Sequence, residues 1–179
     1  MNRMLRVALL LAIALALSAC GFHLRRNVAL PPAMSRVHLT VTGGGDLQRK
    51  LARALEGANV TVEDAAGPGI AELNVPVAAF STQSLTQGGY VRITEYGVHY
   101  HVEFDLAGAD GTVLVPHQHI DMQREYSYDS TDAVGNASQV QEIQGSLVDD
   151  MVQAIMFRLE AAGQHPRAAP APASTTGKP

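Results

Sequence analysis

The sequence predicts an α+β fold, a two-layer sandwich in which a small mixed β-sheet carries two helices packed on one face, in the order β-α-β-β-β-β-α. Three patterns lead there. Residues 96–106 alternate apolar and polar with a period of two, and a second alternating run returns after a Gly-rich turn, as half-buried antiparallel strands do. Two other segments, after residues 46 and 136, repeat apolar residues at i, i+3 and i+4, the spacing of a helix with one buried stripe. The first helix pattern lies between a strand pattern and a short apolar run, the sequence form of a βαβ unit.

Taken in order, Arg36–Thr42 opens the domain as a strand with Val37, Leu39 and Val41 on one face. Gly43-Gly44-Gly45 breaks it, and Asp46 is the expected N-cap of the first helix. Leu47, Leu51, Ala54, Leu55 and Ala58 form that helix's apolar stripe, which stops near Gly57. Residues 60–63 are a short second strand, and Gly67-Pro68-Gly69 marks a loop. In the next strand Leu73, Val75, Val77 and Ala79 are expected to share a face. Pro76 has no N–H to give a ladder, which puts it at an edge or beside a bulge.

The longest strand pattern runs from Tyr90 to Leu106. Even positions from Tyr96 to Leu106 are apolar, whereas Glu95, His99, His101, Glu103 and Asp105 face the other way. Gly108–Gly111 is a hairpin turn. The returning strand switches apolar phase near Pro116, which predicts a bulge there. Ser130–Asn136 is a capping region. Beyond it Val140, Ile143, Leu147, Met151, Ile155 and Leu159 draw the stripe of a long helix ending near Gly163. One sheet face is thus covered and the other polar and open.

The N-terminus carries a different signal. A positive hexapeptide containing Arg3 and Arg6 precedes an apolar run from Val7 to Leu17, too short for the ~20 residues that a bilayer-spanning helix needs. Leu17-Ser18-Ala19-Cys20 resembles the lipobox of bacterial lipoproteins. The expected division is a signal peptide over 1–19, a tether over 20–35 lipidated at Cys20, a folded domain over 36–163 and a Pro/Ala-rich disordered tail over 164–179. Cys20 is the only cysteine, so no internal disulfide can form, and several acyl chains on it would hold the domain to a membrane without spanning it. By resemblance to lipoprotein sorting rules, Gly21 favours the outer membrane. Without Arg3 and Arg6 the basic count falls from 13 to 11 against 17 acids, a formal −6, which argues against nucleic-acid binding.

The side chains with chemistry to offer are His99, His101, His117 and His119. Pairing Tyr100 with Ile120 would set His101 opposite His119 and Glu103 opposite His117, near enough for Zn²⁺ to be considered. The preferred reading is a polar sheet face with cross-strand His–acid pairs and no metal. No Gly-x-Ser-x-Gly elbow, free cysteine nucleophile or phosphate-binding Gly-Lys-Ser/Thr loop is present, and Asp149-Asp150 falls on diverging helical directions as a solvated feature. The reading is no enzyme and no cofactor.

Cys20-Gly21-Phe22-His23-Leu24-Arg25, Leu30-Pro31, Glu95-Tyr96, Arg124 to Tyr128 and Gln141-Glu142 occur in an order that resembles the LptE family of lipopolysaccharide-assembly lipoproteins. The resemblance implies an outer-membrane lipoprotein on the periplasmic side. It would plug and help assemble the LptD β-barrel, and take part in lipopolysaccharide transport. Relatives use basic side chains near the sheet tip and on the last helix, which makes Arg92 and Arg124 the candidate lipopolysaccharide contacts here. Val140–Met151 itself holds no Lys or Arg. The alternatives are a lipoprotein binding a metal or small ligand through the histidine face, and a pilot lipoprotein for another outer-membrane complex.

Overall fold

The structure is a computed structural model that describes residues 30–85, 95–129 and 131–164. Its strands are β1 (Arg36–Val41), β2 (Thr61–Glu63), β3 (Ala71–Ser84), β4 (Glu95–Ala107) and β5 (Val113–Ser127), and its helices α1 (Gly45–Gly57) and α2 (Ala133–Gln164). They form one mixed sheet in the order β2-β1-β3-β4-β5. β1 is parallel to both β2 and β3, and β3-β4-β5 is an antiparallel meander. The predicted α+β sandwich and element order are the ones observed.

The core lies between the sheet and the two helices. Val37 and Leu39 from β1, Leu73 and Val75 from β3, and Val98, Val102, Phe104 and Leu106 from β4 meet Leu47, Leu51 and Leu55 of α1. From α2, Leu147, Met151, Ile155 and Leu159 complete it, so the helical stripes read from spacing are the buried ones. No polar or charged residue is buried among the described residues. At roughly 1.5–3 kcal/mol per fully buried large apolar side chain, this one cluster dominates the driving force for folding.

Folded structure begins ahead of the expected boundary at Arg36. Pro32–Met34 is a single 3-10 turn, Met34 is 0% exposed within the core, and Leu30 packs against it. The end of α2 holds this segment, since a Cβ on Gly163 would lie 2.5 Å from Cγ of Pro31.

The start of α1 departs from expectation. Its N-cap is Gly44, which gives no side-chain bond, and Asp46 sits inside the first turn and pairs with Arg49. The reason is close packing. A Cβ on Gly44 would fall 2.9 Å from that of Ala78, and Gly43 turns the chain at φ +86°, so glycine must make the entry. For α2 the capping region holds. Asp132 Oδ1 accepts the N–H of Gly135 at 2.8 Å, and Asn136 Nδ2 donates to the carbonyl of Asp129 at 2.6 Å.

Register shifts in β3 and β5 decide which way side chains point. β1 ends opposite Val75, so from Pro76 onward β3 is paired only with β4, and the register shifts between Asn74 and Val77. Both the edge and the bulge expected at Pro76 are there. The shift reverses the phase, however. Ala78 is buried and Val77 and Ala79 are not, correcting the expectation of one continuous apolar face. In β5 the register shifts around Pro116 as predicted, between Phe104 and Leu106 and again between Leu106 and Ala107. The β4–β5 turn is also as read, with Gly111 at φ +78° and Asp110 accepting from the Thr112 N–H at 3.0 Å.

Candidate functional site

The face of the sheet turned away from the helices is mainly polar, interrupted by Val77 and Ala79 of β3, which lie opposite Glu103 and His101. β1 contributes Arg36 and His38, with Arg36 Nε 2.8 Å from Glu63 Oε1 on β2. β3 contributes Glu72 and Asn74, and β4 and β5 supply the histidines and most of the acids. Strand alternation alone puts them there, because every even residue of β4 from Val98 to Leu106 is committed to the core.

The histidine pairing differs from the sequence reading. The register at the turn, Ala107 opposite Val113, would place Tyr100 opposite Ile120 if it continued unbroken. Two shifts each add a residue to β5, so Tyr100 faces Met122, His101 faces Asp121 and Glu103 faces His119. His101 consequently lies between two acids, with Nδ1 2.6 Å from Asp121 Oδ1 and Nε2 3.2 Å from Glu103 Oε1. His117 approaches the other oxygen of Glu103 at 3.2 Å and Asp105 at 3.8 Å, and His119 reaches Asp121 at 3.7 Å. The rings of His101 and His119 are 6.0 Å apart. The result is a ladder of alternating imidazoles and carboxylates. Among the described residues no three His, Cys, Asp or Glu converge as metal ligands.

The ladder is pH-sensitive at its centre. The Asp121 hydrogen bond, then that of Glu103, raises His101 above its ordinary value, and the same His101–Asp121 bond holds Asp121 below the usual carboxylate value. His99 stands apart. Its Nε2 is buried and has no hydrogen-bond partner among the described residues.

Of the other sequence candidates, Cys20 and Arg92 lie outside the described residues. Arg124 lies on β5 on the helix side and donates to Asp150 Oδ2 of α2 at 2.7 Å. Asp149 takes Lys50 of α1 at 2.7 Å, so the two adjacent aspartates fasten α2 to both neighbours rather than simply meeting solvent. Arg158 of α2 bonds Gln118 Oε1 at 2.6 Å and the carbonyl of His119 at 2.9 Å, occupying an acceptor on the outermost strand. Tyr96, Tyr126 and Tyr128 cluster toward the β3–β4 tip, with rings 5.6 and 5.5 Å apart. The sequence reading missed Phe80 altogether, because without the bulge shift its phase points to the wrong face.

Taken together, the arrangement is a two-layer domain with one sheet face covered by helices and the other open, and its fold is shared with bacterial lipoproteins. Residues 26–159 match the family model LptE, lipopolysaccharide-assembly, and the chain belongs to the LptE family. Similar solved structures include an uncharacterized lipoprotein B from Nitrosomonas europaea, with 22% identity over 84% of this chain and 99% of that one and a TM-score of 0.67. A minor lipoprotein from Acinetobacter baumannii is 22% identical, with a TM-score of 0.61 over 76% of this chain and 98% of its own. The rare lipoprotein B of Shewanella oneidensis is 20% identical, with a TM-score of 0.58 over 73% and 99%. No curated protein gives a significant match. Among the described residues no helix is long and apolar enough to cross a membrane.

Proposed function

We propose that this chain is an outer-membrane lipoprotein, anchored through Cys20 on the periplasmic side, that plugs and helps assemble the LptD β-barrel during lipopolysaccharide transport. The observation that carries the reading is the open sheet face in a member of a lipopolysaccharide-assembly family. Its strands present histidines, acids, amides and one arginine around Val77 and Ala79 of β3, and no large apolar residue stands between them on β4. A surface of that kind suits the hydrated, polar interior of a large barrel and not a lipid-facing or apolar partner surface. The His–Asp–Glu ladder offers both donors and acceptors, so it can meet lumen side chains of either sign.

Lipopolysaccharide contact falls to Arg92 and Arg124 in this reading, since an Arg–phosphate bond is charge-assisted and often bidentate. Arg124 must first exchange Asp150 for the phosphate. An exposed ion pair is worth only about 0–1 kcal/mol, so the exchange is energetically accessible. The test is affinity isolation of the tagged chain from outer membranes. A β-barrel partner identified as LptD supports the proposal, and wild-type chain that brings down no barrel refutes it. Arg92→Glu and Arg124→Glu should weaken lipopolysaccharide binding while leaving barrel recovery intact, because few residues carry most of the energy of a large interface.

A further inference from the structure

The helix layer does not close over the whole sheet. Between the Gly43–Gly45 loop, the start of α1, the middle of β3 and β4 and the first half of α2 lies a cavity of about 420 Å³. Sites for small molecules fall in the range of roughly 300–1,000 Å³. The phase reversal at Pro76 creates its aromatic wall, because it brings Phe80 directly opposite Tyr100 on the helix side of the sheet. The two rings stack at 4.0 Å and 10°. Tyr100 is 1% exposed and Phe80 37%.

Three features show what this space can hold. First, Tyr100 lines the cavity with a largely buried ring, and its hydroxyl, which is not sealed from solvent, makes no hydrogen bond to a described residue. A hydroxyl that is reachable and not engaged by the protein can donate to a ligand acceptor in the cavity. Burial, and to a smaller degree Asp46, pushes the Tyr100 pKa up to about 12, so the phenol stays protonated. Second, Gly45 and Gly145 line the cavity, and a Cβ on either would meet nothing within 4 Å. Gly145 is interior to α2, where glycine costs about 1 kcal/mol relative to alanine, and no steric demand of the fold explains it. What it does preserve is space. Third, no Lys or Arg lines the cavity. Lys50 and Arg49 nearby are engaged by Asp149 and Asp46.

An anion has no counter-charge here, and a purely apolar ligand would leave the phenol unpaired. What the lining offers is an aromatic face, a phenol donor, a carboxylate acceptor, two carboxamides that both donate and accept, and the free N–H groups of an α1 start that lacks a side-chain cap. Vicinal hydroxyls need donors and acceptors side by side, and the C–H face of a sugar ring rests on the negative face of an aromatic. We propose that this cavity is a site for one uncharged glycosyl unit, seated against Phe80 and hydrogen-bonded by Tyr100, Asp46, Gln141 and Gln144. The unit can belong to a glycolipid or to a cell-wall glycan. The site is on the helix side, opposite the polar sheet face, so it stands or falls independently of the barrel reading.

The full-length chain, in a detergent without sugar head groups, would be titrated with glucose, chitotriose and a deacylated, dephosphorylated core oligosaccharide from lipopolysaccharide. Saturation-transfer NMR and calorimetry give the affinities. Saturable binding at a Kd of about 1 mM or tighter is expected for at least one saccharide. Gly145→Leu, which fills the space while favouring the helix, should weaken it at least tenfold without lowering the melting temperature. Phe80→Ala, at a half-exposed position, should do the same if the leucine variant folds poorly, and Tyr100→Phe should weaken binding at least threefold. A preference for the core oligosaccharide identifies a glycolipid as the source, and a preference for chitotriose a cell-wall glycan. The proposal is overturned if no saccharide saturates, if glucose 6-phosphate binds better than glucose, or if folded Gly145→Leu or Phe80→Ala binds as the wild type does.

Discussion

Gly145→Ala should make this protein more stable, although it alters a glycine in the longest helix. Gly145 lies well inside the 32 residues of α2, far from both ends, where no cap or positive φ calls for glycine. Glycine there gives up about 0.8–1.0 kcal/mol relative to alanine, chiefly because it loses more backbone freedom on folding. The opposing term would be a clash. It is absent, since a Cβ would meet no heavy atom within 4 Å, and the bond from Lys50 to the Gly145 carbonyl, 3.4 Å long, involves only backbone on that side. The expected change is therefore a gain of about 1 kcal/mol. For a domain of this size that corresponds to a rise of about 3–5 °C in melting temperature. Urea unfolding followed by far-UV circular dichroism measures it, with an unchanged m-value showing that only stability moved. A loss of stability would refute the reasoning, because it would mean that the space beside Gly145 is filled in the folded protein.

Gly44→Ala should destabilise by more than 1 kcal/mol in the same unfolding assay, since its methyl would press on Cβ of Ala78 at 2.9 Å and the neighbour is backbone-fixed. Met34→Ala should cost about 2–5 kcal/mol, the range for emptying a fully buried site, which would show that the segment before β1 belongs to the folded unit. The histidine ladder should give stability a pH dependence. The part due to raised His101 is complete below its ordinary value of 6.5 and is lost as pH rises through its folded value. The part due to lowered Asp121 is complete above 3.8 and is lost as pH falls through its folded value. The ladder therefore contributes most between about pH 4 and 6.5. The melting temperature should decline from pH 6 to 8, modestly because the side chains are 40% and 65% exposed, and His101→Gln should flatten that decline.

Periodicity carried most of the architecture, and the reasons are physical. Each strand of a half-buried sheet must alternate and each covering helix must carry a stripe, so Val98–Leu106 and Leu147–Leu159 could hardly have been read otherwise. Prolines did nearly as well, because a missing N–H forces a ladder to give way, and both Pro76 and Pro116 sit where the register slips. What spacing could not supply was the size of each slip. Matching the apolar phases, Tyr100 to Ile120, set β5 two residues out of register, so His101 meets Asp121 where His119 was expected. The N-cap of α1 was misjudged because the demand for glycine came from Ala78, a residue on β3 whose approach no local pattern announces.

The same slips explain why the cavity was invisible in sequence while the polar face was not. A face defined by alternation within one strand survives an even slip of register, since moving β5 by two residues keeps its histidines and acids on the side where they started. A site built across strands does not. Phe80 joins Tyr100 only because the bulge around Pro76 turns the later half of β3 over, and Gly145, on an element more than forty residues further along, puts no side chain into the space they line. Each of those residues has an ordinary local explanation, one as an exposed strand residue, one as core and one as a tolerated helix glycine. Their conjunction around an accessible phenol has none, and this is why the cavity, rather than the histidine ladder, is the place to look for a ligand.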